Sequence, residues 1–86
     1  MKKLTTLPKW FKGTIYDKGD TVTNPFSGEE YKLTNLELSM YDFIMGSQYV
    51  IEMFPKSTTD EQIDQLYDAI DWFRETNGKA YMVLLD

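Results

Sequence analysis

Five carboxylates recur at intervals of three or four residues in the last third of the chain, and this spacing could do chemistry. On an α-helix it places them along one side. They form an acidic stripe that consists of Glu61, Asp64, Asp68, Asp71 and Glu75. The stripe is typical of a solvated helix face, but it also suits the docking of a basic partner, with charges that imitate the phosphate spacing of DNA. Carboxylates along one helix diverge, so we predict no metal site unless another element adds ligands.

Two tryptophans are further candidates for contact with a partner. Trp72 falls opposite Ile63 on the helical wheel and beside the acidic stripe, where it is either covered by the N-terminal arm or offered to a partner. Trp10 lies between Lys9 and Lys12. If these lysines reach the acidic stripe, Trp10 packs beside Trp72; otherwise the arm is an exposed aromatic surface for a partner.

The composition excludes several other kinds of chemistry. With 0 Cys and 0 His, the chain has no disulfide, zinc finger, Cys or Ser–His nucleophile system, or imidazole proton switch. Its glycines are isolated, so no phosphate-binding loop is predicted. No spacing selects one pair of carboxylates for acid–base work. We therefore expect no enzyme, no catalytic residue and no cofactor.

Charge is unevenly distributed along the chain. There are 9 basic and 14 acidic side chains, a net charge of −5 and an isoelectric point near 4.6. A surface of this sign is repelled by phosphate backbones, so we expect no direct contact with nucleic acid. Five of the nine basic residues lie within residues 1–18. This predicts a basic arm at residues 1–12, which complements the acidic body or binds an anionic partner.

The length of 86 residues allows one small domain, which we expect to span residues 1–86. No apolar run of signal-peptide length follows Met1, and the longest uncharged stretch, residues 43–51, is too short to span a bilayer. We therefore expect a soluble, cytoplasmic protein that has no contact with a membrane.

The first third of the chain contains turn formers and short β-prone runs. Three strands of an antiparallel meander are predicted at residues 13–16, 21–23 and 29–33. Gly19 is expected to adopt positive φ in the first turn, and Gly28 to close the second. Phe26, at the tip of the second turn, is expected to fold back as a plug rather than serve as a binding anchor. The side chains expected to point inward are Ile15, Val22, Tyr31 and Leu33.

Thr34 and Glu37 have the spacing of a capping box, which predicts a first helix over residues 35–53 that ends before Pro55. Its core stripe consists of Leu36, Met40, Phe43, Ile44, Ser47, Ile51 and Phe54. A second apolar row on its flank consists of Leu38, Tyr41, Met45 and Tyr49. Because one sheet face cannot cover both rows, the flank is either sandwiched or forms a symmetric contact in a homodimer or larger homo-oligomer. Gly46 either allows the close approach of another backbone or is a glycine that the helix tolerates without a structural role.

A second capping box is formed by Thr58 with Glu61 or by Thr59 with Gln62, and Asn77-Gly78 is a typical C-terminal signal. The core face of this second helix is predicted to consist of Ile63, Leu66, Tyr67, Ile70 and Phe73. Residues 79–86 are almost continuously apolar, which favours a buried strand. The expected fold is α+β, with a short antiparallel β-meander and a C-terminal strand packed against two helices in the order β-β-β-α-α-β.

Two resemblances to known families are visible. Residues 16–22, Tyr-Asp-Lys-Gly-Asp-Thr-Val, look like the Tyr-x-x-Gly-Asp-x-Val turn of small chitin-binding modules, but two long helical patterns argue against such a module. Residues 7–10, 24–29 and 38–43 are together similar to small uncharacterised proteins of tailed viruses of marine cyanobacteria. That resemblance implies no activity or site, and it adds only a setting, an infected bacterial cytoplasm or a virion.

These observations predict a non-enzymatic protein-binding module. The acidic stripe and Trp72 would engage a basic surface on a host or viral protein, where charge steers the encounter and the indole supplies buried area. One alternative is a structural or assembly component that forms a homo-oligomer through the flank of the first helix. A second alternative is a carboxylate metal-dependent enzyme.

Overall fold

The computed structural model describes residues 6–85, and this part of the chain folds into a two-stranded sheet and three α-helices. The strands are β1 (Asp20–Thr23) and β2 (Glu30–Leu33), and the helices are α1 (Asn35–Met53), α2 (Asp60–Thr76) and α3 (Gly78–Leu84), with a 3₁₀ turn at Pro55–Ser57. The α+β class is confirmed, whereas the predicted number of strands is wrong. None of the helices within residues 6–85 combines the length and the apolar character needed to cross a membrane.

The hairpin of β1 and β2 is antiparallel, with Asp20 opposite Leu33. Its loop is held by Asn24, whose side-chain oxygen accepts a hydrogen bond of 2.8 Å from the N–H of Phe26. Gly28 has a φ of 77°, a left-handed conformation that glycine adopts at low cost. The predicted role of Gly28 in closing this turn is confirmed.

The strand predicted at residues 13–16 does not form, because this segment binds α1 instead of the sheet. The N–H of Tyr16 donates to Ser39 Oγ at 2.9 Å, and the side-chain amide of Asn35 donates to the Tyr16 carbonyl at 3.3 Å. These bonds satisfy backbone groups that a β-ladder would otherwise satisfy. As a consequence Ile15, which was expected to point inward, is exposed.

Gly19 serves a close approach and not the positive φ that the sequence predicts, since the positive-φ residue among those described is Gly28. A Cβ on Gly19 would overlap the carbonyl oxygen of Leu33 and lie 3.0 Å from the Cα of Thr34. Both are backbone atoms, which cannot rotate away as a flexible side chain can. The glycine therefore lets the segment before β1 pass against the end of β2.

Replacement of Gly19 by Ala is expected to lower the free energy of unfolding by about 1–3 kcal/mol, because the overlap forces a backbone shift. Urea denaturation measures this loss. Gly78→Ala is the matched control, since its Cβ would meet no atom within 4 Å. A Gly19→Ala variant as stable as wild type would contradict the close approach.

The starts of the two long helices are set by local side-chain hydrogen bonds, as predicted. Thr34 accepts from the N–H of Glu37, whose carboxylate accepts from the N–H of Thr34 at 2.9 Å. Of the two boxes proposed for α2, the pair of Thr59 and Gln62 forms. Each reciprocal pair satisfies two backbone donors.

The predicted C-terminal strand is wrong, because residues 78–84 form α3. Asn77 ends α2 and starts α3, since its side-chain oxygen accepts from the N–H of Ala80 at 3.1 Å. Ala80 and Leu84, one helical turn apart, are buried, whereas Met82 is exposed. A run that is apolar at nearly every position hides this helical spacing.

The core lies between α1 and α2, and α3 packs on both α2 and β2. The buried hydrophobic residues are Leu33, Met40, Tyr41, Ile44, Leu66, Ala69, Trp72, Phe73, Ala80 and Leu84. The N-terminal segment extends this core, because Trp10 and Phe11 pack on Phe43 of α1 with ring centroids 5.6 and 5.4 Å away. Residues 1–5 of the predicted basic arm lie outside the described residues.

Candidate functional site

The exposed face of α2 carries the acidic stripe, but the buried side of this helix is rotated by roughly 90° from the predicted one, measured at 100° per residue. Trp72, expected beside the stripe, is only 7% exposed, and Tyr67, expected in the core, is 63% exposed. The Thr6 carbonyl of the N-terminal segment accepts a hydrogen bond of 3.1 Å from the Trp72 indole, and the neighbouring Phe73 packs on Tyr41 of α1. Of the two alternatives for Trp72, coverage by this segment is the one observed.

All five members of the acidic stripe are exposed. Tyr67 lies at one edge of the stripe, three residues after Asp64 and four before Asp71, so the three side chains are neighbours on the helix surface. Asp71 pairs with Arg74, whose guanidinium lies over the Tyr81 ring at 5.5 Å. The two residues are three positions apart on the same helix and both are exposed, so the ion pair contributes little to stability.

In one of the two predicted arrangements, two lysines of the N-terminal segment, Lys9 and Lys12, reach the acidic stripe. Within residues 6–85, neither Lys9 nor Lys12 forms an ion pair with it. The ring partners of Trp10 are Phe11 and Phe43 of the aromatic cluster. Lys2 and Lys3 lie outside the described residues.

The acidic stripe is extended and does not converge on a point. Glu61 and Glu75 are about 21 Å apart along the axis, at 1.5 Å per residue. Among residues 6–85, no three carboxylates come close enough together to hold a metal ion. A long row of like charges suits an extended basic surface, since a divalent cation needs several oxygens around one point.

The flank of α1 that was expected to form an oligomer contact is only partly exposed. Tyr41 is buried against Phe73, with ring centroids 6.2 Å apart, and Leu38 is half-buried. Met45 and Tyr49 are exposed. Further exposed side chains extend these two into an apolar patch that consists of Met45, Tyr49, Val50, Met53 and Phe54.

Burial raises the pKa of the Tyr41 phenol above its ordinary value of 10.0. The folded state then holds this proton more tightly than the unfolded state, so its stabilisation is complete below pH 10 and is lost as the pH rises through the folded-state pKa. Tyr41→Phe is expected to lose less stability than wild type between about pH 8 and about pH 11, measured by urea denaturation. Tyr49→Phe, an exposed tyrosine on the same helix, is the control; identical pH profiles for all three proteins would contradict the prediction.

A groove of about 390 Å³ lies between α1, α2 and the N-terminal segment. Its apolar walls come from Phe43, Val50 and Ile51, and its polar positions include Asp42 and Gln65. Sequence reasoning missed it, because Phe43 and Ile51 were assigned to the core. The available signal was Gly46, which also lines the groove and whose Cβ would meet no atom within 4 Å.

Phe26 is 99% exposed, so the expected plug is not observed. The loop beneath it is anchored, because the side-chain amide of Asn24 donates to the Val83 carbonyl of α3 at 2.8 Å. The ring therefore stands on a fixed turn and remains in solvent.

No protein-family model, no curated protein and no solved structure matches this chain. Function is therefore inferred from the geometry of the chain itself.

Proposed function

We propose that this protein is a binding module that engages a basic surface of another protein through the exposed face of α2. The observation that carries the proposal is the position of Tyr67, which is 63% exposed at the edge of the acidic stripe and next to Asp64 and Asp71. Aromatic side chains supply contact area at low entropic cost, and they are enriched among residues that dominate binding energy. In this proposal Tyr67, and not Trp72, is the aromatic residue that contacts the partner.

The charges around Tyr67 define the chemistry of the partner. The stripe presents carboxylates over about 21 Å, from a rise of 1.5 Å per residue, and Arg74 is the basic side chain paired with it within residues 6–85. A partner with lysines or arginines over a similar length would be attracted at long range and orientated on contact. The resemblance to small viral proteins suggests a host or viral protein as this partner.

The test is a pull-down from bacterial lysate with a charge-reversed variant of α2, carrying Asp64→Lys, Asp68→Lys and Asp71→Lys. We expect wild type to retain a basic protein that the variant loses, and we expect higher salt to release it, because exposed charges are screened. Tyr67→Ala is expected to weaken the capture without changing its salt dependence.

The matched control carries Asp17→Lys, Glu29→Lys and Glu30→Lys. These positions are exposed and remote in sequence from α2, and their reversal changes the net charge by the same amount. Retention by this control separates the α2 face from net charge. Equal recovery with wild type and the α2 variant would overturn the proposal.

A second candidate function is a structural component that self-associates. The apolar patch favours it, because Met45, Tyr49 and Met53 follow one another at intervals of one turn and are all exposed. Sedimentation equilibrium distinguishes the two candidates. A concentration-dependent oligomer that is insensitive to salt and lost in Tyr49→Glu would favour self-association.

A further inference from the structure

We propose that the groove between α1 and α2 binds an arginine side chain from the basic surface of the partner. This inference rests on the proposed function and adds to it the residue type that the partner must contribute. The groove borders the Glu61 end of the acidic stripe, because Gln65 of its lining is hydrogen-bonded to Glu61, and Tyr67 lies on the opposite side of the stripe.

Gly46 opens the groove to a long side chain. It lies one turn after Asp42 and one turn before Val50, so the three positions are stacked on one line of α1. Because Gly46 has no side chain and no atom lies within 4 Å of its would-be Cβ, the line is open between the carboxylate of Asp42 and the apolar walls. An aliphatic stem ending in a cation fits this succession of surfaces.

The polar positions of the groove favour a donor-rich group. Thr14, Ser47 and Asp42 are the oxygen-bearing residues of the lining, whereas the side-chain oxygen of Gln62 already accepts from the N–H of Thr59 at 2.9 Å. None of the residues lining it, all within residues 6–85, is basic. A guanidinium has five N–H donors in one plane and no acceptor, so it matches such a set of oxygens.

The aromatic wall favours arginine over lysine. Phe43 lines the groove and is fixed in the cluster with Trp10 and Phe11 at 5.6 and 5.4 Å. A guanidinium stacks on an aromatic face, whereas an ammonium is a more strongly hydrated point charge.

The groove is also connected to the acidic stripe. Gln65, which lines the groove, donates from its side-chain amide to the carboxylate of Glu61 at 3.3 Å. Glu61 is the first member of the stripe. Asp42 on one wall and Glu61 behind the other thus give the groove a negative border on both sides, continuous with the proposed binding face.

The probe for the test is a capped Gly-Gly-Arg-Gly-Gly peptide, compared with the same peptide in which citrulline replaces arginine. Citrulline has nearly the same shape and no charge. Titration into ¹⁵N-labelled protein is expected to shift the amide signals of Gly46, Ser47 and Val50, with about tenfold weaker binding of the citrulline peptide, since charge-assisted hydrogen bonds are about twice as strong as neutral ones. The lysine peptide is expected to bind between the two.

Two variants test the geometry. Asp42→Asn is expected to abolish the difference between the arginine and citrulline peptides. Gly46→Leu should occlude the groove and abolish the shifts, although it favours the helix because leucine is a better helix former than glycine. An unchanged circular dichroism spectrum shows that this variant folds.

The outcomes separate the inference from the function on which it rests. Shifts confined to the amides of residues 64–71, or equal binding of the arginine and citrulline peptides, would overturn the groove assignment and leave the α2 face as the binding surface. Groove shifts that persist in the variant with Asp64→Lys, Asp68→Lys and Asp71→Lys support the groove, even if the pull-down refutes the proposed function.

Discussion

Phe73→Ala is expected to lower the free energy of unfolding by about 3–5 kcal/mol, the cost of deleting a buried phenylalanine and leaving a cavity. Phe73 has no exposed surface and packs on Tyr41 of α1 at 6.2 Å between ring centroids. It thus lies where the two long helices meet. For a domain of 86 residues the total stability is about 4–13 kcal/mol, so the variant loses a large part of it.

Urea denaturation followed by circular dichroism measures this effect. Tyr67→Ala is the matched control, because it removes an aromatic ring from the same helix at an exposed position. Its expected effect is within about 0.5 kcal/mol, as for most surface substitutions. Losses of similar size in both variants would show that Phe73 is not the centre of the core.

Asn77→Ala is expected to lower the free energy of unfolding by about 2–4 kcal/mol, the sum of a lost helix cap and a lost hydrogen bond to a carboxylate. The side-chain oxygen of Asn77 accepts from the N–H of Ala80 at 3.1 Å and from the Tyr31 hydroxyl at 3.4 Å. Its amide donates to the carboxylate of buried Glu37 at 3.2 Å. One side chain therefore joins α3, β2 and α1.

Asn77→Ser separates these contributions. A serine hydroxyl still caps α3, but it is too short to replace the amide that reaches Glu37. We expect the free energy of unfolding of Asn77→Ser to lie between those of Asn77→Ala and wild type, as measured by thermal and urea denaturation. An Asn77→Ser variant as stable as wild type would show that the contact with Glu37 contributes nothing to stability.

Local signals predicted the helices well. The capping box of Thr34 and Glu37 and the stop before Pro55 gave α1 the bounds that the structure has, Asn35–Met53. These signals operate between residues that are neighbours in sequence, and the hydrogen bonds that express them do not depend on the rest of the fold.

The face that α2 buries could not be predicted, because apolar residues occur on more than one of its sides. Tyr67 and Trp72 are both large and amphipathic, but Trp72 is the one that is buried, and its indole N–H donates to the carbonyl of Thr6. Tertiary contact of this kind is not encoded in the periodicity of the helix. The identity of the exposed aromatic residue at the candidate site therefore needed the structure.

The sheet was predicted with too many strands for two different reasons. Residues 13–16 have β-prone side chains, but their backbone partners are Ser39 and Asn35 of α1. Residues 79–86 are apolar enough for a strand, yet the Asn77 cap starts a helix there. At residues 13–16 the side chains that bind the backbone are 19 and 23 residues away in sequence, whereas the cap at Asn77 is local and its residue was interpreted only as the end of the preceding helix.

The hydrogen bond between Asn24 and the Val83 carbonyl spans 59 residues, and it has a consequence for the order of events during synthesis. The hairpin leaves the ribosome before α2 and α3 exist, so its buried side chains have nothing to cover them at that stage. Contacts of such long sequence separation form slowly because a large loop must close first. The hairpin therefore docks on α3 only after residue 83 has left the ribosome, and until then Leu33 of β2 lacks the cover that it has in the folded protein.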